Sequence, residues 1–232
     1  MPSQGIVRAV VTLCAAGVVT IASSQSKLTY ASAQDMPADR MIDSYAIYQQ
    51  LLSDPSEQSD MPLTQWLLED KTTAKATTEP CMGPELTDLA HAAIVPAERK
   101  ADWDELLDDY AAHCHDRFTL DSHFFSLPLP VRLLNEDDQN RYEQGLGRYR
   151  AVSKGIVQPS VMPQEFEGAA CLHSFSAVYF NRNRTLAATY FMHCRMRRNV
   201  SGREWVWMIL ERTPTGWKSL PWVQVATGQG SF

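Results

Sequence analysis

The sequence predicts an α+β fold, with N-terminal helices packed on a C-terminal antiparallel β-meander and two disulfides. Three observations predict it. Apolar residues recur at helical spacing through the first two-thirds of the chain, and runs of β-branched and aromatic residues punctuated by Asn, Pro and Gly fill the last third. Four cysteines beyond the N-terminal segment (Cys81, Cys114, Cys171 and Cys194) give an even number.

The chain opens on an apolar run, Ala9–Ala22, preceded by Arg8 and followed by small residues. A span of the bilayer takes about 20 apolar residues, so this shorter run reads as a secretory signal peptide. Small-x-small cleavage patterns end at Ala33 and, alternatively, at Ser24. The first cut divides the chain into a leader, 1–33, and a single domain, 34–232. The localisation expected is exported, periplasmic or extracellular, with no integral membrane span after cleavage. Removing the leader leaves 19 basic against 27 acidic side chains, a formal −8 where the whole chain has −6. That balance argues against nucleic acid as a partner.

Asp39–Ser53 places Ile42, Tyr45, Tyr48, Leu51 and Leu52 on one helical stripe. Leu63–Glu69 is a short apolar run suited to a first strand, and Asp70–Pro80 is polar and Thr-rich, a loop tied at its end by Cys81. Glu85–Ala93 suits a short helix. Pro96–Phe118 gives the strongest helical pattern, with Trp103, Leu106, Leu107, Tyr110, Cys114 and Phe118 on one face. Pro128 and Pro130 make Ser122–Leu134 loop-like, Glu136–Tyr149 suits another helix, and Lys154–Glu167 reads as irregular.

The meander begins with a hairpin, Leu172–Asn181 and Thr185–Cys194 around Asn181–Arg184. A four-residue loop centred there sets Phe175 opposite Tyr190, Ala177 opposite Ala188 and Tyr179 opposite Leu186. The other face pairs Ser176 with Thr189. The same register sets Cys171 opposite Cys194, leaving Cys81 for Cys114. Glu204–Glu211 and Trp217–Ala226 complete the meander through a Pro214-Thr215-Gly216 turn.

Tyr45-Ala46-Ile47-Tyr48, then Trp66–Thr73, then Ala177–Asn181, a strand ending in Cys194, and Met208–Glu211 with Gly216-Trp217 together resemble a diffuse group of uncharacterised exported bacterial α+β proteins. The resemblance implies export and this architecture, and assigns no catalytic residue.

Histidines suggest chemistry first. His113 and His115 point about 200° apart on a helix, so they cannot share one ion there; no metal site and no cofactor are expected. His173 and His193 remain as acid/base candidates for a small-molecule enzyme with a site in the concavity of a curled sheet. No G-x-S-x-G elbow or protease-type Cys/His signature is present. Trp205 and Trp207 share one strand face, suited either to core or to a stacking platform. Arg195, Arg197 and Arg198 make a basic spot on an acidic protein, able to dock a carboxylate. The leading expectation is a non-catalytic binding domain of the cell envelope or secretome, with an unidentified protein or small molecule as ligand. The enzyme and a structural envelope component are the alternatives.

Overall fold

A computed structural model of the protein describes residues 28–53, 63–81, 95–153, 162–197, 200–220 and 225–230, with the side chains of 147–153, 193–197, 200–204 and 225–230 left outside the description. The apolar run Ala9–Ala22, expected to be a leader, the Glu85–Ala93 segment and most of Lys154–Glu167 fall outside the described residues.

The helical stripes form helices close to where periodicity puts them. Helix α1 spans Ala38–Leu52, α2 Lys100–His113 and α3 Glu136–Ser153. Helix α2 stops short of Phe118, which enters a two-residue strand instead. Pro96 precedes a 3-10 turn, Ala97–Arg99, that leads into α2. No described helix is long and apolar enough to cross a membrane.

Among the described residues, ten strands form three sheets. Strands β1 (Gln34–Asp35) and β3 (Phe118–Thr119) make a small parallel pair. Strands β2 (Trp66–Glu69), β4 (Val131–Leu134) and β5 (Leu172–His173) form a parallel sheet in the order β4-β2-β5. The main sheet is antiparallel, in the order β10-β8-β7-β6. It comprises β6 (Tyr179–Phe180), β7 (Leu186–Arg197), β8 (Val200–Thr213), β9 (Gly216–Ser219) and β10 (Val225–Gly230). Strands β9 and β10 both pair with β8, β9 along Leu210–Thr213 and β10 along Arg203–Trp207.

The α+β architecture and the antiparallel sheet therefore stand, with three corrections. Leu172–Asn181 is not one strand: its first part leaves to complete the parallel sheet beside β2. Val131–Leu134 is a strand rather than loop, beginning directly after Pro130, where a missing N–H costs no ladder bond. Asp70–Pro80 is tied into the fold rather than exposed throughout. Thr72 is fully buried, and its hydroxyl accepts the N–H of Phe118 at 2.8 Å.

The hairpin register also moves. Tyr179 pairs with Ala188 and Phe180 with Ala187, two positions from expectation, whereas Phe175 bridges Phe191, one position away. Asn181 explains the first shift. Its Oδ1 accepts the N–H groups of Thr185 and Leu186, so Asn181 closes the ladder and the loop starts one residue later. Arg184 takes the left-handed turn position, φ 51°. Ser176 and Thr189 still meet, with hydroxyls 3.2 Å apart in the core.

Helices cover both faces of the main sheet, not one. Adjacent strand residues point to opposite faces. Tyr110 of α2 packs edge-on against Tyr179 and Trp207, while Tyr48 of α1 stacks on Phe175, which stacks on Phe191. These aromatic layers, with Trp103, Leu106, Ile47, Leu51 and Leu52, are the centre of the core.

Candidate functional site

The aromatic concentration divides by depth. Trp207 is buried against Tyr110, Tyr179 and Tyr190, so this half of the expected platform is core. Trp205 is half-buried, and its ring lies parallel to that of Tyr190 at 4.7 Å. Register explains the difference. Trp207 pairs with Tyr190 over α2, and Trp205 pairs with Met192, one step toward the β7–β8 hairpin tip. Trp205, Tyr190 and Met192 are all half-buried, and together they form a shelf.

Beyond that shelf the backbone of β7 carries His193, Cys194, Arg195 and Arg197, paired with Glu204, Arg203, Gly202 and Val200. Their side chains, and the whole of Arg198, lie outside the described residues. Two further arginines, Arg182 and Arg184, lie in the turn at the opposite end of β7, and both are engaged. Arg184 pairs with Asp39 at 2.6 Å and lies over the Phe180 ring, and Arg182 approaches Glu105 at 3.7 Å.

His173 is fully buried. Its ring stacks on Phe191 at 5.7 Å, meets Trp66 edge-on at 5.4 Å, and its Nδ1 lies 3.4 Å from the carbonyl of Met192. A ring packed this way is a core histidine in its described contacts. The neighbouring phenols are set for the same dry interior. Burial first, and then nearby Tyr110, push the Tyr179 hydroxyl far above the ordinary phenol range; burial does the same for Tyr48.

The Cys81–Cys114 disulfide is present, with Cα atoms 5.6 Å apart. It fastens the end of the 63–81 segment to the C-terminus of α2, where Cys114 caps the helix. His115, which follows, brings a ring nitrogen into the same place: the ligand atoms of Cys81, Cys114 and His115 all lie within 4.8 Å of one another. Helical geometry had set His115 apart from His113, but His115 lies two residues past the helix, where that spacing no longer applies. The Cys114-His115 adjacency at a helix end was the available signal. His113 stays on the helix, its Nδ1 2.7 Å from Asp116 and its Nε2 3.6 Å from Asp109. Cys171 is buried just before β5.

No family model, curated protein or solved structure matches this chain.

Proposed function

We propose that this is an exported, disulfide-stabilised domain that acts by binding a protein or small-molecule ligand, not by catalysis. The observation that carries the reading is the stacked Trp205–Tyr190 pair, half-buried where neighbouring Trp207 is sealed into the core. A rigid aromatic pair costs little conformational entropy to present and offers a flat face to a sugar or peptide. The enzyme alternative is disfavoured by the position of His173 between Trp66 and Phe191.

Export is supported by the signal-like N-terminus. Of the two cuts, the one after Ser24 fits the contacts better, because the Thr29 carbonyl accepts the N–H and the hydroxyl of Thr77, and Arg117 lies over the Tyr30 ring. A second bridge, Cys171–Cys194, is part of the proposal: β5 packs against β7, which carries Cys194.

The test screens oligosaccharide and peptide libraries against the exported protein and its Trp205→Ala variant. Ligands that bind the first and are lost from the folded second support the reading. Binding that ignores Trp205, or substrate turnover that disappears with His173→Gln, overturns it.

A further inference from the structure

We propose that Cys81, Cys114 and His115 are a redox-gated zinc site: a disulfide when oxidised, and a Cys2His zinc ligand set when the bond is reduced. The proposal stands apart from the binding function above. It rests on the convergence of two sulfurs and an imidazole nitrogen, all within 4.8 Å, from residues on two separate segments. Zinc takes thiolate at about 2.3 Å and imidazole at about 2.0–2.1 Å, which requires sulfurs about 3.8 Å apart in a tetrahedron. Parting the bonded sulfurs that far is a matter of side-chain rotation over an unchanged backbone.

That backbone is held in place by contacts with Lys75. The Lys75 N–H donates to the Cys114 carbonyl at 2.9 Å, and the Lys75 carbonyl lies 3.3 Å from His115 Nδ1. An imidazole that gives its Nδ1 proton to a backbone carbonyl keeps Nε2 as a lone-pair donor, the usual outer-sphere arrangement of a metal-bound histidine. Cys114 caps the C-terminus of α2, the end of a helix that favours a cation. The same field disfavours two bare thiolates, so the disulfide and the metal-bound pair are the two favourable states. Access is one-sided. Cys114 is buried, and Cys81 and His115 are half-buried, so reductant and metal arrive at Cys81, and a water fills the fourth position.

The chemistry balances with a dithiol as reductant. Two electrons and two protons pass from the dithiol to the Cys81–Cys114 bond; two thiols form, and the dithiol closes to its own disulfide. Zn2+ then displaces both thiol protons to solvent and takes the imidazole lone pair.

The test is native mass spectrometry with a chelator-competition titration of zinc. It uses the full chain after export, and the same chain carrying Cys171→Ser and Cys194→Ser, so that only one cysteine pair responds to reductant. The oxidised protein is expected to take up no stoichiometric zinc, and the reduced protein one ion per chain. His115→Ala should weaken that affinity at least tenfold. His113→Ala, whose ring is held by Asp116 and Asp109, should leave it unchanged. Zinc uptake by the oxidised chain, none by the reduced chain, or equal affinity in His115→Ala overturns the proposal. Should the double serine variant fail to fold by circular dichroism, the two histidine variants in the otherwise unaltered chain decide the matter.

Discussion

Arg40 on α1 and Asp109 on α2 meet in a two-pronged ion pair, and the same carboxylate accepts the N–H of Phe180 at 2.8 Å. Arg40 also donates to the Val178 carbonyl at 3.1 Å and lies over the Phe180 ring. One contact therefore joins the helices on opposite faces of the main sheet to each other and to its β6 edge. Asp109→Ala should lower stability in urea by about 3 kcal/mol, because it leaves Arg40 and a backbone donor unpaired in a partly buried site. In a double-mutant cycle, adding Arg40→Met to Asp109→Ala should cost less than the two single changes summed. Strict additivity would show that the pair is not coupled.

Trp207 and Trp205 should separate under truncation. Trp207→Ala removes a ring buried against three tyrosines and should cost about 3–5 kcal/mol. Trp205→Ala, on the half-buried shelf, should cost about 1–2 kcal/mol. Thermal melts of the two variants, compared with ligand binding, distinguish core from surface. A Trp205 variant as unstable as the Trp207 variant would move the shelf into the core.

Alkaline pH should destabilise the protein progressively from the ordinary phenol pKa upward. Tyr48 and Tyr179 have raised pKa values in the folded chain, so above about pH 10 the unfolded chain loses protons that the folded one retains. Their contribution is complete below that pH and declines as pH rises beyond it. Phenolate absorbance from these two rings should appear only together with loss of the near-ultraviolet dichroism. Gradual ionisation of every tyrosine within an intact fold would contradict their burial.

The Cys81–Cys114 bridge closes a loop with a sequence separation of 33 and should contribute about 3–4 kcal/mol on the chain-entropy model. Comparing the protein with Cys81→Ala/Cys114→Ala by denaturant titration measures it. The intact mass of the protein, run without reductant, should fall four hydrogens short of the sum for free thiols. A deficit of two would leave Cys171 and Cys194 unbridged.

Elements with long periodic patterns were legible in the sequence. The stripe of Tyr45, Tyr48, Leu51 and Leu52 became α1, and Trp103, Leu106 and Tyr110 became the buried face of α2. The β7–β8 ladder followed from its aromatic and β-branched runs. The parallel sheet was not legible, because strands of two to four residues, such as Leu172–His173, carry no period and take their partners from distant segments. Register failed for a local reason: one amide, that of Asn181, decides where the turn begins. The shelf was half legible. Alternation put Trp205 and Trp207 on one face, but nothing in that pattern marks which of the two is sealed into the core.

Strand β2 is the middle strand of the parallel sheet and the first of its three to be synthesised, and its two partners lie on either side of α3 in the chain. Leu67 and Leu68, both fully buried in the finished protein, cannot be enclosed until Leu172 and His173 have been made. Closure of this long loop costs chain entropy before the pairing rewards it, so it should slow folding. Any truncation ahead of Leu172 leaves an open, adhesive strand edge.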